Sequence, residues 1–171
     1  MDRLANLLNA AATAISDAQM RSVALYGDLK PSTTGAILTL GQHSALTISE
    51  LAGILGLSHS ATVRLVDGLG DKGLARRGDR QDRREVAVSL TVDGQALYAQ
   101  LRQAQGETLM PLLEEIAPAD QARLEAMLSH ILAVLTKGRQ IADHICRFCD
   151  EGICGQDACP VELQAVALAR P

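Results

Sequence analysis

The apolar positions Leu4, Leu7, Leu8, Ala11, Ile15 and Ala18 recur at three- and four-residue spacing along MDRLANLLNAAATAISDAQM, which predicts an amphipathic helix. Asn6, Asn9, Thr13 and Ser16 interrupt the apolar run, and the one early basic residue, Arg3, is matched by Asp2. The segment therefore lacks the apolar centre of an export signal. No stretch approaches the roughly 18 apolar residues of a membrane span, so no membrane contact is expected.

The first half of the chain reads as short helices. In LTISELAGILG, Thr47 stands three residues before Glu50, the spacing of a capping box, with Ile48, Leu51, Ala52 and Leu55 on one face behind it. Gly56 breaks that pattern. Ser58 or Ser60 can start the next helix, with Val63, Val66 and Leu69 facing inward. Two short helices joined by GLS outline a helix-turn-helix. Ser60, Ala61, Thr62 and Arg64 are then expected on the exposed side of the second helix, near the end that commonly enters a major groove.

After Gly73 the period changes. Val86, Val88 and Leu90 alternate with Ala87 and Ser89, and LARR before them can form the partner strand. This predicts a hairpin with the polar tip GDRQDR. Two longer helical patterns follow. The first carries Leu97, Leu101, Ala104, Leu109, Leu112, Leu113 and Ile116. The second opens at Pro118, carries Leu124, Met127, Leu128, Ile131 and Leu135, and is expected to run past Ile141 to the cysteines.

Enzyme signatures are thin. GLGDKG, from Gly68 to Gly73, matches G-x-G-x-x-G, but the dinucleotide-binding form follows a strand and opens a helix. Here a helix precedes it and a strand follows, so Gly73 reads as a helix-ending residue with positive φ. Glu114 and Glu115 are adjacent on a helix and diverge. His43, His59, His130 and His144 are scattered; His59 lies where it could touch a phosphate, and His144 reads as a solvated helix residue or a spare metal ligand. No enzymatic activity is expected.

Composition and charge sharpen this reading. The 171 residues are enough for a sizeable core without staples. Aromatics are 2% of the chain, namely Tyr26, Tyr98 and Phe148, too few for a stacking platform on single-stranded nucleic acid. The net charge is −4, but residues 58–88 hold seven basic groups against five acidic ones, so that segment is +2 and the remainder −6. Five of the seven, Arg76, Arg77, Arg80, Arg83 and Arg84, fall between positions 76 and 84.

At residues 46–94 the chain resembles the MarR family of winged-helix transcriptional regulators, and the order of elements extends the likeness over roughly residues 1–145. The reader-helix pattern stands as Arg64, Leu65, Val66, Asp67, Leu69, Lys72, Gly73 and Leu74. The wing signature stands as Asp82, Arg84, Leu90 and Thr91. The resemblance implies a mainly α (α+β) fold. A winged helix-turn-helix DNA-binding lobe would span residues 31–91, and a helical dimerisation region would combine residues 1–30 and 92–145. It implies a homodimer on a palindromic operator in double-stranded DNA. Ser58, His59, Ser60, Thr62 and Arg64 would sit at the major groove, and Arg76, Arg80, Arg83 and Arg84 along the wing, with Asp82 orienting an arginine. Arginine gains from the enhanced negative potential of a narrow minor groove, which suits such a wing. Family members often respond to small, frequently aromatic ligands held between the dimer helices and the lobe, but nothing in this chain names an effector.

The family pattern does not account for residues 146–171. All four cysteines, Cys146, Cys149, Cys154 and Cys159, fall within fifteen residues at C-x2-C-x4-C-x4-C spacing. Thiols stay reduced in the cytoplasm, the expected location of such a regulator, which disfavours a disulfide staple. A C-x-x-C pair followed by two more cysteines suits zinc, and a last cysteine followed by Pro160 suits an iron–sulfur cluster. One metal centre per chain is expected there. The function expected overall is a transcriptional regulator, most simply a repressor, gated by that centre. The alternative is a metal- or redox-binding interaction module whose winged fold does not serve DNA.

Overall fold

The computed structural model describes residues 2–27, 29–79, 86–155 and 157–170. It is mostly helical with one small sheet. Helix α1 (Arg3–Ala24) leads to α2 (Pro31–Gln42), the short strand β1 (Leu46–Thr47), α3 (Ile48–Leu55) and α4 (His59–Asp71). Strands β2 (Ala75–Asp79) and β3 (Val86–Leu90) precede the long helices α5 (Val92–Glu114) and α6 (Pro118–Leu135). The chain ends with α7 (Arg139–Cys146), the single turn α8 (Glu151–Cys154) and α9 (Pro160–Ala169).

Local chemistry sets most of these boundaries. The capping box at α3 is complete: Glu50 N donates to Thr47 Oγ1 at 3.1 Å, and Thr47 N to Glu50 Oε2 at 2.7 Å. Gly56 then turns the chain out of α3 with φ +66°, and Ser58 caps α4 by accepting from Ala61 N at 3.3 Å. Gly73, with φ +69°, follows the end of α4 as its position predicts. Helix α4 thus precedes the G-x-G-x-x-G match's last glycine and a strand follows it, the reverse of a dinucleotide site.

The sheet has the order β1-β3-β2 and is antiparallel throughout, with Leu46 opposite Val88 and Ala75 opposite Leu90. It closes one side of a core built from Ile37, Leu38, Leu40, Leu51, Leu69, Val88 and Leu101. Helix α2 runs through the middle of this lobe, with every residue from Thr34 to Leu40 buried. The terminal helices differ. α1 buries only Val23, and α6 buries no residue.

The structure corrects three expectations. The second long helix does not run on to the cysteines. It ends at Leu135, and Gly138 at φ +135°, a conformation that other residues rarely adopt, redirects the chain into α7. On β3 the strict alternation fails at its outer end, where Val86 is exposed and Ala87 buried. The third strand pairs only with Ala87 and Val88, so Val86 extends beyond the covered part of the sheet. Thr62 is fully buried rather than exposed. Its Oγ1 donates to Ser58 O at 3.1 Å, turning the side chain back along α4 and into the lobe.

Candidate functional site

The first turns of α4 present Ser58, His59, Ser60 and Arg64 to solvent. Ser58 Oγ accepts from the α4 backbone and lies 3.3 Å from Ser60 Oγ. These short polar groups surround the positive end of a helix, where backbone amides favour an anion such as a DNA phosphate. Arg64, a turn further on, carries a planar set of donors suited to a guanine edge or a phosphate. With its side chain buried, Thr62 cannot join them.

The hairpin beside α4 supplies more positive charge. Arg76 is exposed on β2. Its neighbour Arg77 points the other way along the strand and donates to Asp67 Oδ1 at 2.7 Å, tying the hairpin to the middle of α4. This bridge gives Asp67 of the reader pattern a structural role that sequence spacing did not suggest. Arg80, Asp82, Arg83 and Arg84, expected along the wing, lie outside the described residues.

The second candidate region surrounds the cysteines. Cys146, Cys149, Cys154 and Cys159 all line one cavity of about 360 Å³, together with Thr39 and Gln42 of α2, Ile54 of α3 and Val161 of α9. The thiols act on one another throughout the segment: Cys149 and Cys159 both act on Cys146 and both act on Cys154. The Cys146 thiol hydrogen-bonds Cys149, which holds Cys149 down to about 7 despite its burial, with Arg102 and Arg147 assisting. The same bond, with burial, pushes Cys146 well above the ordinary thiol range. Burial raises Cys154, as do Cys159 and Cys149. Burial also lowers Arg147, against the pull of Cys149. Among the described residues, no three His, Cys, Asp or Glu side chains are gathered as they would be around a single metal ion.

The cysteine segment is docked on the lobe. His144, read from sequence as solvated or a spare ligand, instead places Nδ1 2.8 Å from Ile54 O at the end of α3. The Phe148 ring joins the lobe core, and a methyl group built on Gly35 would meet it at 3.7 Å. Arg102 of α5 donates to the carbonyls of Phe148 and Cys149. Glu151 N donates to Gln42 Oε1 at 2.8 Å. On the outer side, Arg139 forms a two-pronged ion pair with Glu162 at 2.6 and 2.7 Å, joining α7 to α9. That pair raises the Arg139 guanidinium and lowers the Glu162 carboxyl from their ordinary values. Arg102 did not stand out in sequence, and His144 did so only in another role. The available signal was Phe148, the chain's sole phenylalanine, placed between two cysteines in an otherwise polar loop.

Comparison with known proteins places the lobe. Residues 27–85 match the model of the MarR family. The lobe is similar to that of the MarR family. The multiple antibiotic resistance protein MarR of Salmonella typhimurium is 37% identical over 89 residues, 51% of this chain and 62% of that protein. The HTH-type transcriptional regulator YfiV of Bacillus subtilis is 26% identical over 114 residues, 66% of this chain and 71% of that one. Among solved structures, RV1404 from Mycobacterium tuberculosis aligns with a TM-score of 0.68 at 25% identity, covering 74% of this chain and 88% of that one. A mutant MarR from E. coli complexed with operator DNA aligns at 0.60 with 23% identity, covering 75% of this chain and 93% of that one, and shares the winged fold.

Proposed function

We propose that this protein is a transcriptional regulator that binds a palindromic operator in double-stranded DNA as a homodimer, most simply as a repressor, with its affinity set at the cysteine cluster. The observation that carries this reading is the joint exposure of Ser58, His59, Ser60 and Arg64 at the start of α4, beside a hairpin bearing Arg76. The match of this same lobe to the MarR family, and the operator complex of the E. coli MarR mutant, support it. Small polar groups at a helix N-terminus hold phosphates, an arginine one turn on reads a base, and a basic hairpin follows the adjacent groove. No helix among the described residues is long and apolar enough to cross a membrane. The protein acts in the cytoplasm, where its DNA target lies and its thiols stay reduced.

Dimerisation is supported by the surface outside the lobe. Leu4, Leu7, Leu8 and Ile15 of α1, Met110, Leu112 and Leu113 of α5, and Met127 and Leu128 of α6 are all exposed. So many large apolar side chains on terminal helices suit a twofold interface that buries the same face of each copy. Two copies also double the phosphate contacts, which offsets the modest local charge.

The test is a mobility-shift titration of the purified protein against the intergenic DNA upstream of its own gene. A scrambled duplex of the same length and composition serves as reference. Preference for the native duplex by about a thousandfold or more is expected for a specific operator protein. Equal binding to both duplexes overturns the proposal.

A further inference from the structure

The cavity of about 360 Å³ that the cysteines line lies between two parts of the molecule. Thr39 and Gln42 of α2, His43 at its end and Ile54 of α3 form the side toward the lobe, and Leu132 of α6 with residues of α7, α9 and the turns between them forms the other. Among the described residues none from α1 or α5 takes part. The lining from Cys146 to Glu162 belongs to the segment that the family pattern does not account for. Ligand cavities in proteins run from roughly 300 to 1,000 Å³ and are mostly apolar with a few placed polar groups. We propose that this cavity binds a small, uncharged, largely apolar molecule that offers a carbonyl-type oxygen to the Thr39 hydroxyl.

Thr39 defines the polar group of the ligand. It is 2% exposed, and its hydroxyl has no hydrogen-bond partner among the described residues. Thr34, Thr62 and Thr136 are buried too, yet each donates to the carbonyl four positions back. Thr39 makes no such bond. A buried hydroxyl left unpaired is costly, and an acceptor oxygen on a molecule in the cavity would take its hydrogen bond.

The charges around the cavity select an uncharged ligand. Arg139 is held by Glu162 at 2.6 and 2.7 Å and by Asp143 at 3.4 Å. Glu151 Oε1 stands 4.0 Å from His43 Nε2. Arg147 donates to His144 O and lies over the Phe148 ring, 4.9 Å from its centroid. Each of these groups already faces a partner within the chain, so an added charge would lose its water without compensation. The rest of the lining is mostly apolar, with Ile54, Leu132, Ala142, Ile145 and Val161 joined by the soft, weakly hydrogen-bonding cysteine sulfurs. A molecule held there touches Ile54, just before the Gly56 turn that joins α3 to α4, and α7, whose His144 meets Ile54 O. Occupancy therefore bears on the seating of the reader helix. This coupling rests on the DNA-binding reading, whereas the binding itself does not.

The test titrates the full-length protein with prodan, an uncharged fluorescent naphthalene ketone whose emission moves to the blue in apolar surroundings and to the red when its carbonyl accepts a hydrogen bond. Saturable binding of one probe per chain is expected. Thr39→Val keeps the side-chain shape and removes the hydroxyl. Its affinity should fall by about two- to tenfold and its bound emission should move further to the blue, while the urea midpoint does not fall. The matching naphthoate, with a carboxylate in place of the ketone, should bind more weakly than prodan. Absence of saturable binding overturns the site. Wild-type affinity and emission in Thr39→Val put the probe on the exposed apolar faces of the terminal helices and overturn it equally. Naphthoate binding as tight as that of the ketone overturns the uncharged class. Saturating prodan should change operator affinity by about fivefold or more, as an allosteric coupling does. Unchanged operator affinity overturns the coupling while the site stands. Protein that prefers no duplex, with or without prodan, overturns the DNA-binding reading and the coupling with it, and the site again stands.

Discussion

The winged lobe and the helices around it are built on opposite terms. In the lobe, Ile37, Leu38, Leu40, Leu51 and Val88 are completely buried, and α3 and α4 each open on a side-chain cap and give way to a glycine turn. In α6, which is eighteen residues long, no side chain is buried, and Leu4 of α1 is 75% exposed. The lobe satisfies its apolar surface within one chain, whereas α1, the end of α5 and α6 leave large apolar side chains exposed. The C-terminal segment stands between these cases. Val161 and Ala165 of α9 are buried against α7, and the stretch before them is fastened to the lobe.

The sharpest way to break this contrast is to delete residues 1–20. The product should sediment as a monomer and lose tight operator binding, because both the interface and the paired presentation of two reader helices go together. A truncated protein that remains dimeric at micromolar concentration removes α1 from the interface.

Single truncations of leucine sharpen it further. Leu51→Ala, in the closed core of the lobe, should cost about 2–5 kcal/mol in denaturant unfolding. Leu128→Ala, on exposed α6, should leave the unfolding of a dilute monomer nearly unchanged and weaken self-association instead. Equal costs in unfolding would show that α6 packs within its own chain.

Within the lobe, Arg64→Ala should weaken specific binding by about 1–3 kcal/mol and relax preference at one base position, if Arg64 reads a base edge. Arg84→Ala should weaken all sequences alike and reduce the slope of log affinity against log salt by about 1, as expected for a lost phosphate contact. Fluorescence anisotropy over a salt series separates the two, and wild-type behaviour in both variants displaces the reader surface from α4 and its hairpin.

The smallest effect belongs to the clasp between α7 and α9. Glu162→Gln should destabilise the fold by only about 0.2–1 kcal/mol, since the Arg139–Glu162 pair is partly exposed. The Glu162 carboxyl is lowered by Arg139, so its stabilising contribution is present above the unfolded carboxylate value. That contribution is lost as pH falls through the lower folded value. The variant and wild type should therefore differ in urea midpoint at neutral pH and converge in acid. A constant difference across pH assigns the effect to packing.

Local chemistry alone determined much of this protein. Thr47 with Glu50, Gly56, Ser58 and Gly73 announce their helix boundaries because caps and positive-φ turns involve neighbours in sequence. The switch from helical to alternating spacing located the hairpin for the same reason, and the motifs around residues 46–94 pointed to the winged lobe. Only the tertiary structure decided what depends on distant neighbours. Thr62 occupies a position in α4 that sequence spacing could leave exposed, and the packing of α4 against the lobe buries it. The two-residue strand β1 exists only because Leu46 and Thr47 meet β3 forty residues on. His144 and Ile54 are 90 positions apart, and Arg102 and Phe148 are 46 apart. Such contacts have no period or spacing to reveal them, so the docking of the cysteine segment against the winged lobe became visible only in three dimensions.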